Sequence, residues 1–286
     1  MALLAIRMAG YQPARSVHTR ALHRLAERLR QELGGAADIV VTDNVTTAGR
    51  RAADLLAMTE GGELDICYFS SSYLAARVPS LGLFDRPFGF EDREAAHAAM
   101  DGAAGRRLAE DLARATNLRV LAFWDNGLRH ISNRLRPIRT PADCRGLRIR
   151  TLDNALHQAF FRRLGFEPVF LDVRDLPRAI ADGRVDAQEN PLTNVVNFGM
   201  QAHHRFVSLT GHLFGAALLL ANGARLSAWP RPLREAVRGI AVDITAAQRS
   251  DAIAEDAACH EQLLAEGVQI LGPDDIDRAA FRRAAH

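Results

Sequence analysis

The chain contains no lysine: all 36 of its basic residues counted with arginine are arginines, against 34 acidic residues, for a formal net charge of +2. So small an excess excludes a polyelectrolyte contact with nucleic acid as the main activity. The lysine deficit reads as codon bias. With about one residue in eight an arginine, a single arginine matched to a motif carries little weight. Cysteine is scarce too. Cys67, Cys144 and Cys259 lie far apart with no Cys-x-x-Cys spacing, which excludes a structural zinc site and a disulfide framework. No apolar run reaches the ~18 residues of a membrane span. The longest, Phe214 to Gly223, is short enough for a buried strand. There is no Gly-x-Gly-x-x-Gly or Walker-type loop, and no Gly-x-Ser-x-Gly elbow surrounds Ser70-Ser71-Ser72.

What is present is an ordinary globular composition, 48% hydrophobic over 286 residues, enough for one large or two medium domains. Strand and helix signals alternate. The segments 2–10, 38–44, 63–69, 118–124 and 167–172 read as strands. Helical patterns run over Ser16 to Leu33, Thr46 to Thr59, 91–116, a helix capped by Asp153 and reaching Leu164, and Asp175 to Asp182. This order predicts an α/β protein on largely parallel sheets. From Pro230 to Glu266 apolar residues recur at helical spacing (Leu233, Val237, Ile240, Ile244). At 1.5 Å per residue that is a helix of roughly 50 Å, long enough to lie across two lobes.

The polar side chains cluster in "VDAQENPLTN", where Asp186, Gln188, Glu189 and Asn190 precede Pro191. Four such groups in five residues need partners once buried. Arg150 closes the short strand "GLRIR", and an arginine at a strand end offers a planar fork to a carboxylate. Composition alone reads it as a solvated edge. His203-His204 point to different faces of any helix and make no metal pair. "TGH" (Thr210 to His212) reads as a strand-end or hinge feature.

The order of "PADCRGLRIRT", "FFRRLGFEPVFLD", "AIADGRVDAQENPL" and "RFVSLTGH" resembles the solute receptors of tripartite ATP-independent periplasmic (TRAP) transporters, of the dicarboxylate-receptor type. The likeness extends upstream through "ELDICYFSSSYLA", "VPSLGLFDRPFGF" and "LAFWDNGLRHISN", covering most of residues 1–266. The resemblance implies a two-lobed periplasmic-binding-protein-like α/β fold with a hinge and a long lobe-spanning helix. Its lobes would be residues 1–123 plus 213–254, and 124–212 plus 255–286. It implies an extracytoplasmic receptor that takes a small organic acid into the interlobe cleft. The acid would pass to integral-membrane TRAP permease subunits for secondary active uptake.

It also implies no catalysis, cofactor, metal or nucleic acid, and a monomer. "MALLAIRMAG" lacks an export signal, so a periplasmic location would mean a signal peptide already removed. The family's carboxylate-binding arginine falls on Arg150, a second arginine on Arg129, and the ligand-reaching amide on Asn190, with Asp186 and Gln188 as scaffold. Tyr11, Phe69, Ser70, Tyr73 and Phe214 complete the expected substrate-binding set, with Tyr73 on the lobe opposite Arg150. Gly127 and Gly211 lie beside the expected crossings. Ala187 replaces a usual glycine and Val173 a frequent aromatic residue. Uncharged Ser70 and Tyr73 stand where sugar-acid receptors carry charge, which argues against a sialic-acid-like ligand and for a monocarboxylate with a modest apolar body. Two other readings stay open: an enzyme acting on a small carboxylic acid with Glu189 or His212 as acid or base, and a ligand-sensing module.

Overall fold

The computed structural model describes residues 4–285. Ala2 and Leu3, the start of the first expected strand, lie outside the described residues. In chain order the elements are β1 (Leu4–Ala9), α1 (Val17–Leu33), β2 (Ala37–Thr42), α2 (Asp54–Glu60), β3 (Ile66–Ser70), α3 (Arg93–Asp101), α4 (Ala103–Ala115), β4 (Leu118–Asn133), β5 (Arg148–Thr151) and α5 (Ala155–Arg163). They continue as β6 (Glu167–Phe170), α6 (Leu176–Ala181), β7 (Ala187–Asn190), α7 (Leu192–Asn197), β8 (Phe206–Asn222), α8 (Gly223–Ala228), α9 (Arg231–Ala265), β9 (Gln269–Leu271) and α10 (Arg278–Ala285).

The chain divides into two compact units: residues 1–71, 97–125 and 216–252 in the first, and 72–96, 126–215 and 253–286 in the second. The strands β4 and β8 and the helix α9 each contribute to both.

In the first unit β1 pairs in parallel with β2 and β3, and β3 pairs antiparallel with β8, Ile66 opposite Ala221 and Ser70 opposite Ala217. Helix α1 starts where the Ser16 side chain accepts the Thr19 N–H, a cap that satisfies one of the donors a helix start leaves over. Its apolar stripe (Ala21, Leu22, Leu25, Leu29) is fully buried, each leucine contributing about 1.5–3 kcal/mol through area removed from water.

In the second unit β5 pairs in parallel with both β6 and β7, and β7 pairs antiparallel with β4. One core joins Ile131, Ile149 and Ala187 to Phe160, Phe161 and Phe281. The other joins Leu176, Ile180 and Val207 to Cys259 and Leu263 of α9. All three cysteines are buried thiols.

Several expectations change. The helix expected over Thr46 to Thr59 is a 3-10 turn, Val45–Ala48, then a separate α2, because Gly49 takes a left-handed φ of 81° between them. The 91–116 helix breaks at Gly102 into α3 and α4. Asn154, not Asp153, caps α5. The segment Thr210 to His212 lies inside β8, not at its end. Residues 72–96 and with them Tyr73, assigned above to the first lobe, group with the second unit. Asp85 ties them there, accepting from the Asn154 amide at 2.9 Å and pairing with His157 at 2.8 Å. The long helix is present: α9 has 35 residues.

Candidate functional site

Strand β5 carries two arginines with opposite fates. Its residues alternate faces, so Ile149 enters the apolar core opposite Ala187 while Arg148 and Arg150 point the other way. Arg148 pairs with Asp186 at 3.0 Å, and Asp186 also takes Arg134 at 2.6 Å and the Arg148 backbone N–H. Burial raises the Asp186 pKa, but the hydrogen bonds from Arg148 and Arg134 outweigh it and bring it down to about 2. Asp186 is scaffold.

Arg150 sits one step nearer the carboxyl ends of the parallel strands, where α/β sheets gather ligands. It is 1% exposed. Its Nε donates to the Leu171 carbonyl at 2.9 Å, and its Nη2 meets no hydrogen-bond partner. Among the described residues no carboxylate pairs with it. The Tyr73 hydroxyl lies within hydrogen-bonding reach, its pKa raised by burial against the opposing pull of Arg150. A buried cation lacking a counter-charge is costly unless an anion satisfies it.

Arg129 is spent differently. Its Nε donates to Glu189 Oε2 at 2.5 Å, and its Nη2 to Glu189 Oε1 and the Glu189 carbonyl, both at 2.8 Å. The same Nη2 reaches Asn190 Oδ1 at 3.2 Å. Glu189 is 0% exposed. Burial pushes its carboxyl up, but the Arg129 charge and the nearby His212 ring hold it well below the usual range. His157 approaches it at 4.0 Å and His212 at 3.5 Å. His212 stacks on Phe160, and burial keeps its pKa below the ordinary histidine value against the pull of Glu189.

Asn190 is oriented from all sides. Its Nδ2 donates to Gln188 Oε1 at 2.5 Å and its Oδ1 accepts from Asn194 at 3.3 Å. Gln188 in turn donates to Ser132 Oγ, which lies 2.9 Å from His204 Nδ1. Ala187 lies in regular strand backbone, opposite Ile149 and Asn133, and its φ is not positive.

The second unit therefore holds Arg150, Tyr73, Arg129, Asn190 and Phe214, the last edge-on to Phe90 at 6.3 Å. Tyr11, Phe69 and Ser70 belong to the first unit, where Tyr11 packs edge-on against Phe69 at 4.9 Å. Val173 is buried. Sequence reasoning missed Asp85, His157 and Asn154. Asp85 and His157 stand 72 residues apart, and no local pattern marks such a pair. Among the described residues no group of three or more His, Cys, Asp or Glu is placed to hold a metal, and His204 is a buried hydrogen-bond partner of Ser132.

Residues 8–286 match the family described as bacterial extracellular solute-binding protein, family 7. The chain belongs to that family. Over 242 residues it is 31% identical to the 2,3-diketo-L-gulonate-binding periplasmic protein of Escherichia coli, covering 84% of this chain and 72% of that one. Its fold matches a TRAP periplasmic solute binding protein from Polaromonas bound to D-erythronate, with TM-score 0.93, 26% identity, and coverage of 99% and 91%. A TRAP receptor from Chromohalobacter salexigens with bound D-glucuronate matches at TM-score 0.93 and 26% identity, covering 98% and 92%. This family-7 protein is thus a solute receptor of the TRAP kind, not an enzyme. The burial of Glu189 against Arg129 agrees, since a carboxylate held ionised on a fixed cation is poorly placed to exchange protons. No described helix is long and apolar enough to cross a membrane.

Proposed function

We propose that the protein captures a small organic acid outside the cytoplasm, in the periplasm, and delivers it to the membrane subunits of a TRAP permease for secondary uptake. Arg150 carries this reading. It is a buried guanidinium with one edge on the Leu171 carbonyl, an unpartnered Nη2 and, among the described residues, no carboxylate paired with it. A ligand carboxylate supplies the missing charge and acceptors bidentately. Asn190, its orientation fixed by Gln188, Asn194 and Arg129, offers the neighbouring amide, and Tyr73 a phenol. Phe214, of the same unit, supplies an apolar ring for the ligand's less polar body. The receptor acts as a monomer and needs no cofactor, metal or nucleic acid. The relatives named above carry acids of the same kind: a diketogulonate, D-erythronate and D-glucuronate.

A thermal-shift panel of four- to six-carbon acids, each beside its neutral amide, tests the proposal. A ligand at 100 times its Kd adds about 2.7 kcal/mol by mass action, so a bound acid raises Tm clearly and its amide does not. A panel in which amides shift Tm as much as acids contradicts the reading.

A further inference from the structure

Asn190 stands in a hydrogen-bond chain whose direction can be read from one end. Arg129 carries only donors, and its Nη2 meets Asn190 Oδ1 at 3.2 Å. The atom on the other side of the amide is therefore Nδ2, which donates to Gln188 Oε1 at 2.5 Å. That fixes the Gln188 amide in turn: its Nε2 faces Ser132 Oγ and donates to it. Ser132 Oγ lies 2.9 Å from His204 Nδ1. All five side chains are buried and belong to the second unit.

The last link sets the histidine tautomer. His204 Nε2 meets no hydrogen-bond partner. With the ring proton on Nε2, the Ser132 hydroxyl donates to Nδ1 and only the Nε2–H is left over. With the proton on Nδ1, the Ser132 proton and the Nε2 lone pair are both left over, and each unmet buried group costs stability. The first arrangement wins. Burial brings the His204 pKa down to about 3, so the ring is neutral at pH 7 and able to accept. Each member from Arg129 to Ser132 thus donates to the next, and His204 takes the final proton.

We infer that His204 is a positioning residue for ligand binding: as the terminal acceptor of this chain, acting through Ser132 and Gln188, it holds the Asn190 amide with its second N–H presented to an oxygen of the bound acid. This rests on the carboxylate-receptor reading above, in which Asn190 meets the ligand. Without an acceptor at position 204 the Ser132 hydroxyl turns its proton on Gln188. Gln188 satisfies it only by flipping, which sets its NH2 against that of Asn190.

Two measurements on the purified protein test this. Long-range proton–nitrogen NMR of the histidine rings, with the His204 signal assigned by its loss in His204→Gln, is expected to show a neutral ring protonated on Nε2 at pH 7. A ring protonated on Nδ1, or on both nitrogens, overturns the inference. Calorimetry with D-erythronate and D-glucuronate reads the consequence. His204→Leu is expected to weaken binding about tenfold, the scale of one buried donor left unmatched. In an Asn190→Ala background the same change should cost less than about twofold, because it acts through that amide. His204→Gln, whose side-chain oxygen can take the Ser132 proton, should recover most of the loss. If Asn190→Ala binds too weakly to measure, that recovery decides, and its failure overturns the inference. A residue that only held the fold would lower Tm with affinity unchanged, or weaken binding equally in both backgrounds, and either result overturns it too. If His204→Leu does not fold, Ser132→Ala breaks the chain one link earlier and carries the same expectations. Wild type that binds neither of these acids nor any of the thermal-shift panel defeats the carboxylate reading, and the inference with it. Acids that bind wild type and His204→Leu alike defeat only the role of His204.

Discussion

Arg129 and Glu189, 60 residues apart in sequence, form a two-point buried ion pair in which the arginine also holds the Glu189 carbonyl and the Asn190 side-chain oxygen. The pair thereby helps to fix the orientation of the Asn190 side chain. Removing one partner leaves an uncompensated buried charge. Arg129→Ala is therefore expected to destabilise the protein by about 3–5 kcal/mol, read by urea denaturation. A loss under about 1 kcal/mol, the scale of an exposed pair, contradicts this account of Glu189.

Asn154 does two things at once. Its oxygen accepts the Leu156 and His157 N–H groups at the start of α5, and its amide nitrogen donates to Asp85 and the Ser72 carbonyl. Asn154→Ala should cost about 1–2 kcal/mol for the cap alone, with more from the lost Asp85 bond. Asn154→Asp keeps the cap but sets two carboxylates together, and is expected to be no better than alanine. A fully stable Asn154→Asp variant would show that Asp85 does not need its donor.

Acid should loosen the β5–β7 edge through Asp186. Its pKa is depressed from 3.8 to about 2 in the folded protein, so its stabilisation is fully present above pH 3.8 and is lost as pH falls through about 2. Asp186→Asn should lower stability at pH 7 by about 1–2 kcal/mol, discounted because Arg148 and Arg134 both reach solvent. The difference between variant and wild type should shrink as pH approaches 2. A gap that stays constant to pH 2 would mean the carboxylate charge is not what Asp186 contributes.

Gly127 has a φ of 94°, and a Cβ there would lie 2.9 Å from the Pro191 Cβ. Gly127→Ala should cost about 1–3 kcal/mol in strain. Thermal unfolding within 1 °C of wild type would show that the backbone adjusts freely at this point.

The sequence made the outline of the site legible because strand alternation and the carboxyl-end rule act locally. The buried carboxylates and amides of 186–190 needed partners, and "GLRIR" announced a strand with an arginine near its end. Strand β4 was legible only to Trp124, since Asp125, Asn126 and Arg129 interrupt its apolar pattern. In the structure the strand runs 16 residues, and those polar groups stay buried because distant partners meet them: Gln248 accepts the Asp125 N–H, and Glu189 pairs with Arg129. Such pairings are tertiary facts without a sequence period. The same holds for Asp85 and His157, and for residues 72–96, whose place in the second unit is tied through Asp85. Arg129 stood out in the sequence as a candidate, but its pairing with Glu189, weighed there as a possible acid or base, was not legible.

The central claim is that Arg150 is the carboxylate anchor. Calorimetry with the best acid from the thermal-shift panel, on wild type, Arg150→Ala and Arg150→Lys, tests it most directly. The account predicts a loss of about 3–5 kcal/mol in Arg150→Ala, because the ligand's charge then lacks its partner. It also predicts a substantial loss in Arg150→Lys, because a point charge does not reproduce the planar fork. Replacing an exposed arginine such as Arg231 serves as the control and should leave affinity unchanged. Either Arg150 variant binding within about twofold of wild type, a difference of about 0.4 kcal/mol, would contradict the account.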